Sequence, residues 1–376
     1  MAENKTVREP LIHLSERTVI HPVRAWIIRI AAILLGFLLC GAVAFLLIEK
    51  LQKNPERIGD FYNCFIKGSF SSARKTWKFF KNLSVLLCIS LAVTPSFRMR
   101  FWNIGAEGQT LVGVLGAIAV NFYLGGKIPE GLLLILMLIA ALAAGAVWAV
   151  IPAAFKARWN TNETLFTLMM NYIATYLVGY CLVVWVPDGS AIMPKLKTGK
   201  LPQILGNDYA MIILITLVMT VALFIYLNYT KHGYEINVVG ESVRTAQYIG
   251  IPVKKVIIRT MILSGALCGL TGYLIGAGLD QTVNADSVGG QGFTAIMVSW
   301  LAKFNPLMMI LTSGLIMLLN QGAGQISQDF DISGDFPNVV VGIVLFFIIG
   351  CEFFLNYQIH FRGRAVKNEV EKEGVK

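Results

Sequence analysis

Three short stretches carry the polar groups that could do chemistry in an otherwise oily chain. The first is Phe101–Val114, FWNIGAEGQTLVGV, which sets Glu107 between Gly105 and Gly108, with Gln109 beside it, at the mouth of an apolar run. A carboxylate there has two uses. It can complement a helix N-terminus, with Asn103 capping the helix and Arg98 or Arg100 as ion partner, or it can act as a gate on a polar path. The second stretch, SVGGQGFTAIMVSWLA (287–302), repeats the Gly-Gln pair as Gly290-Gln291, preceded by Gly289, and has no glutamate. In the third, Thr164, Thr167, Asn171 and Thr175 share one helical face. Hydroxyls and amides in apolar surroundings either bond to a neighbouring helix or line a path for a polar solute. Asn171 lies deepest and offers both donor and acceptor.

Catalysis fits none of this. A phosphate loop needs G-x-x-x-x-G-K-[ST], and LGGKI (124–128) and TGKL (198–201) lack its first glycine and its hydroxyl residue. No Ser-His-Asp or Cys-His arrangement stands out. The four histidines and six cysteines are scattered without a C-x-x-C pair, which points to neither a metal centre nor a disulfide frame. Ionisable groups deep in the apolar runs, as a proton-coupled pump needs, are nearly absent, since Glu107, Arg259 and Glu352 fall near run ends.

The elements that must hold these groups are membrane helices. Hydrophobic residues make up 56% of the chain and charged ones only 14%, and the mean hydropathy is +0.65. Ala31–Ile48, Gly131–Phe155, Thr164–Pro187 and Tyr209–Thr230 contain no Asp, Glu, Lys or Arg. A crossing helix needs about 20 such residues. The sequence therefore predicts an all-α polytopic membrane protein of about ten transmembrane helices with both termini cytoplasmic. The net charge of +10 reads as positively charged inner loops rather than a nucleic-acid surface.

Residues 1–24 form a cytoplasmic N-terminus, and 25–48 a retained first span. Further spans are expected near 82–97, 104–124, 131–155, 164–186, 209–228, 256–279 and 337–354. Two short pieces, Val288–Ala302 and Pro306–Asn320, read as broken cavity-lining helices or as ordinary tilted spans. The basic segments 50–81 and Lys195–Lys200 fall outside, against the charge rule. The echo between 103–120 and 287–302 predicts an inverted repeat, with halves at 82–205 and 256–355 and a charged cytoplasmic tail at 356–376. Gly265, Gly269, Gly272 and Gly276 share a face that would let another helix approach closely.

Between the halves lies a cytoplasmic loop, 230–255. There Ser242 is placed to cap a short helix through Ile249. Val243, Ala246 and Ile249 would form its apolar edge, with Arg244 and Gln247 exposed. Such a helix suits docking into a partner's groove.

Together, NIGAEGQ, NETLFTLMMNYIA (162–174), GESVRTAQYIGI and SGALCGLTG (264–272) resemble the permease subunits of bacterial ABC importers for branched-chain amino acids, ribose-type sugars and nucleosides. The likeness is greatest to the nucleoside permeases that work with basic-membrane-protein-type lipoproteins, and it runs from about residue 80 to 350. It implies a bacterial plasma-membrane location, a second similar permease, and a cytosolic ATPase that binds ATP and Mg. It also implies a substrate-binding lipoprotein outside the cell. It makes the loop helix, with Glu241, Val243, Arg244, Ala246, Gln247 and Ile249, the coupling element seated on the ATPase. Gly105, Gly108, Gln109, Asn171, Gly289, Gly290, Gln291, Phe293 and Trp300 then become the candidate pathway, with Glu107 an inner-gate or structural charge. The alternatives are a sugar or branched-chain amino acid permease, or an ion-coupled transporter working alone.

Overall fold

The computed structural model describes residues 12–16, 22–186, 193–203, 209–332 and 336–361. In chain order the elements are β1 (Ile12–Glu16), α1 (Pro22–Leu47), α2 (Glu49–Lys53), α3 (Ile58–Phe70), α4 (Ala73–Arg98) and α5 (Ala106–Leu124). Next come α6 (Glu130–Trp159), α7 (Glu163–Trp185), α8 (Ala210–Tyr229), α9 (Lys231–Glu241) and α10 (Val243–Tyr248). The last are α11 (Val253–Tyr273), α12 (Gln291–Leu301), α13 (Pro306–Phe330), α14 (Phe336–Asn356) and β2 (Tyr357–Phe361). Eight of the described helices are long and apolar enough to cross a membrane: α1, α4, α6, α7, α8, α11 with its extension to Leu279, α13 and α14.

The chain divides into two compact units, 1–68 with 319–376, and 69–318. In the first, α1 packs along α14, with Gly36 against Val344. α3 lays Phe61 and Phe65 into this unit, with Phe65 edge-on to Phe37. The Cys64 thiol donates to Asp329 Oδ2 at 3.4 Å. β1 and β2 pair antiparallel, Ile12 opposite Phe361, a short ribbon that the all-helical expectation did not include. The terminal stretches 1–11 and 362–376, expected to be cytoplasmic, lie outside the described residues.

The second unit is built around α11, which packs on α4, α5 and α6. Its glycines set the spacing. Side chains at Gly265 and Gly269 would collide with the Gly145 and Ala141 carbonyls of α6. A Cβ at Gly272 would meet Thr110 O and Val114 N of α5 at 2.5 Å. Bare backbone here is what lets three helices approach closely. Past Tyr273, α11 widens into a π-helical segment, Leu274–Leu279. The loop at 193–203 is fastened to this end, Leu196 N donating to Gln281 O at 2.7 Å and Leu201 N to Ala277 O at 3.1 Å. Its Lys195, Lys197 and Lys200 point to solvent.

Two boundaries differ from expectation. The span expected at 82–97 starts at Ala73, because Ser72 Oγ accepts from Lys75 N and caps a basic first turn that hydropathy scores as loop. The short piece Pro306–Asn320 is the first part of the 25-residue α13. The helix continues through polar Gln321–Gln328 after the apolar run has ended. The other short piece does remain short, as the 11-residue α12.

Candidate translocation site

After α4 ends at Arg98 the chain does not turn directly into α5. Residues 99–105 run without helix before α5 begins at Ala106. Asn103 Nδ2 donates to Ser264 Oγ at 3.3 Å. At 1.5 Å per residue, Ser264 lies about 16 Å along α11 from Val253, so α5 starts deep inside the unit. Unwound backbone in such a place must be satisfied by side chains, and α7 supplies them. Thr167 Oγ1 accepts from Ile104 N at 3.2 Å, Asn171 Nδ2 donates to Ile104 O at 2.9 Å, and Asn171 Oδ1 accepts from Gly108 N at 2.9 Å. Only glycine fits at 108, since a Cβ would sit 2.9 Å from the Asn171 Cα. The polar face of α7 therefore holds the α5 N-terminus, and both ends of the Asn171 amide are engaged.

Gln109 is similarly committed. Its side-chain amide pairs reciprocally with Asn103, Nε2 to Oδ1 at 3.0 Å and Nδ2 to Oε1 at 3.2 Å. Asn103 does not cap α5. Its Oδ1 accepts at 3.1 Å from the N–H of Gly105, which is itself the N-cap, two residues short of the first N–H that a capping side chain serves.

Glu107 lies in the first turn of α5, but its partners are not Arg98 or Arg100. Its two oxygens accept from Gly290 N at 2.8 Å and Gly292 N at 2.7 Å, at the start of α12. The ascent of 99–105 carries Glu107 away from both arginines. Arg98 instead donates to Phe304 O from Nε at 3.1 Å and Nη2 at 3.0 Å, just beyond α12. Gly289 and Gly290 open α12 at φ of 62° and 74°, a left-handed pair suited to glycine. α5 runs alongside α11 toward Asn121, while α12 runs the opposite way toward Phe304, its C-terminal end beside Arg98. Two positive helix ends thus face each other, and one carboxylate lies between them.

Around this centre Gln291 Oε1 is buried without a hydrogen-bond partner among the described residues. Phe293 is exposed. Trp300 packs against Trp102 with ring centroids 5.2 Å apart, and the two remain 50% and 42% exposed. Trp102 was missed from sequence, although it stands inside the quoted motif.

On the loop, Ser242 Oγ accepts from Thr245 N at 3.2 Å and caps α10. Ala246 is buried, while Glu241, Val243, Arg244, Gln247 and Ile249 are exposed. Tyr248, 92% exposed, is the most prominent side chain of α10 and was also missed. α9 is tied to α11 by Glu235, which accepts from Arg259 Nη2 at 2.8 Å. That hydrogen bond holds the Glu235 carboxyl below its usual range, against the opposing effect of burial.

Apolar crossing helices, two shorter ones meeting N-terminus to N-terminus at a polar centre, and a capped helix presented on a loop define a multi-pass membrane permease. The chain belongs to the family described as the permease component of the branched-chain amino acid transport system, which matches residues 78–349. It is 28% identical to the guanosine ABC transporter permease protein NupP of Bacillus subtilis, over 93% of this chain and 97% of that one. It is 27% identical to the nucleoside ABC transporter permease protein NupB of Lactococcus lactis, over 94% and 98%. It is 29% identical to the glucose ABC transporter permease protein TsgB13 of Haloferax volcanii, over 73% and 76%. No solved structure matches. The protein is thus an ABC transporter permease subunit in the membrane, a class that works with ATPase and substrate-binding partners.

Proposed function

We propose that this subunit imports nucleosides by alternating access, driven by ATP bound with Mg on a cytosolic partner ATPase. The observation that carries the reading is the meeting of α5 and α12 over Glu107. Discontinuous helices with unwound, side-chain-supported backbone are how transporters build a substrate path. Taken together with the non-helical stretches that lead into them, 99–105 and 280–290, α5 and α12 would add two crossings to the eight long helices, for a total of ten. The opposed directions of α5 and α12 support an inverted repeat. The β1–β2 ribbon favours the two chain ends sharing one side, the cytoplasmic one.

The pathway runs past Gly105, Gly108, Gly289, Gly290 and Gln291. Gln291 Oε1 is the acceptor left over for a solute hydroxyl or amino group. Asn171 and Gln109 shape the path by holding the α5 start, each with its amide oxygen and one amide N–H. The exposed rings of Phe293, Trp300 and Trp102 offer faces on which a base can stack. Glu107 is the closing contact. α10 docks on the ATPase through Val243, Arg244, Gln247, Tyr248 and Ile249. A second, similar permease completes the cavity, and a lipoprotein delivers substrate.

A nucleoside is favoured over a sugar because the guanosine and nucleoside permeases align along nearly the whole chain, while the glucose permease aligns along less. Uptake of radiolabelled guanosine by cells carrying the complete transporter tests this. Excess unlabelled nucleosides should abolish uptake, and ribose and leucine should leave it unchanged. Competition by ribose or leucine but not by nucleosides would refute it.

A further inference from the structure

We propose that residues 99–105 form a strap that carries movement of α10 to the contact between α5 and α12, with Gly240 as its cytoplasmic joint. This rests on reading α10 as the helix that docks on the ATPase.

The joint is backbone on backbone. Gly240 lies in the last turn of α9, where a Cβ would collide with the Arg98 carbonyl oxygen and sit 3.3 Å from Met99 Cα. No flexible side chain intervenes to absorb a shift. α9 and α10 are joined through the single residue Ser242, whose N–H donates to Val238 O and whose hydroxyl caps α10. A push on α10 therefore reaches Gly240 with little slack. Arg98, the carbonyl that Gly240 touches, also holds Phe304 O and, through Nη1, Asn228 Oδ1 at 3.3 Å. The end of α4, the exit of α12 and the end of α8 thus meet at this joint.

The two ends of the strap are held differently. At the end beside Gly240, Arg100 adopts φ of 56°, a left-handed conformation unusual for arginine. A cavity of about 360 Å³ lies beside it, with Met99, Arg100 and Phe101 on the strap and Val239, Glu241 and Val243 on α9 and α10 among its lining residues. The end nearer α5 is held by hydrogen bonds. Asn103 is fully buried and held by Ser264 and Gln109, and Ile104 is held at both N and O by α7. Three residues on, Glu107 bridges Gly290 and Gly292. A segment with space at one end and fixed bonds at the other transmits displacement along its length. Here it delivers that displacement to the carboxylate between the two helix ends.

The test uses the complete transporter, permeases with ATPase and binding protein, in proteoliposomes, and reads nucleoside taken up per ATP hydrolysed. Gly240→Ala should lower that ratio about tenfold or more while hydrolysis continues, since overpacking a backbone contact displaces the joint. Gly265→Ala, equally crowded but between α6 and α11, is the control. It should reduce the amount of folded complex without changing the ratio. If Gly240→Ala fails to assemble, a second variant decides. Arg100→Cys with Lys156→Cys, which line the same cavity, joined by a bifunctional maleimide, ties the strap to α6 and stops it following α9. Linked complexes should hydrolyse ATP without uptake, unlike the unlinked cysteine pair and unaltered complex given the same reagent. Coupled uptake by Gly240→Ala or by the linked complex overturns the strap. Uptake by the unaltered complex that ignores ATP would instead overturn the ATP-driven reading.

Discussion

At the residue scale, Glu107 joins the starts of α5 and α12. Facing helix N-termini repel, and a carboxylate that accepts from the backbone of α12 while sitting in the first turn of α5 relieves both ends at once. Glu107→Gln keeps the shape, removes the charge and replaces one acceptor by a donor facing an N–H. Hydrogen bonds to charged groups are worth about 1.5–3 kcal/mol, so the closing contact should loosen by that order. ATP-independent leak of nucleoside from loaded vesicles should rise, and a leak equal to that of the unaltered chain would remove Glu107 as a closing contact. Glu235 allows a second prediction. Its carboxyl pKa is lowered by the Arg259 hydrogen bond, so the pair stabilises the fold above the ordinary carboxylate pKa. That contribution is lost as pH falls through the lowered value. Arg259→Ala should therefore be less stable than the unaltered chain at neutral pH, and the gap in thermal unfolding should close in acid. A gap that widens on acidification would reverse the assignment. In the sequence, the residue types of this site were legible and most of their partners were not. Glu107 and Gln109 stood out as polar groups in oil, yet nothing in their spacing points to Gly290 or Asn103, because those bonds depend on how deep α5 begins.

At the element scale, the Ser242 cap and the exposed Arg244 and Gln247 of α10 follow from one turn's spacing and local hydrogen bonding. Of the expected apolar edge Val243, Ala246 and Ile249, only Ala246 is buried, and the helix ends at Tyr248 rather than Ile249. Arg244→Glu reverses the charge on the proposed docking face without touching the cap. ATP hydrolysis should persist while uptake falls, and normal coupled uptake would exclude Arg244 from docking. The unwound segment before α5 was not legible, because hydropathy averages over a window and cannot tell an extended apolar stretch from a helical one. The glycine face of α11 was legible as packing, since small residues at helical spacing have few other uses, although its partners on α5 and α6 came only with the structure. α13 ran past its expected end for the complementary reason: its polar second half is helical despite its composition.

At the scale of the whole molecule, composition alone set the class, because runs of about 20 uncharged apolar residues have no other stable home than a bilayer. The topology was less secure from charge. Lys195, Lys197 and Lys200 sit on a loop pinned to the far end of α11, the end away from α9 and α10, where the positive-inside bias would not place them. The family match over residues 78–349 and the polar meeting of α5 and α12 lead to one central claim, that transport through this chain is driven by a partner's ATP hydrolysis. Nucleoside uptake into proteoliposomes, compared between the purified chain alone and the complete transporter, tests it most directly. Uptake is expected only from the complete transporter and only with hydrolysable ATP. Uptake by the chain alone, driven by an imposed ion gradient, would contradict it.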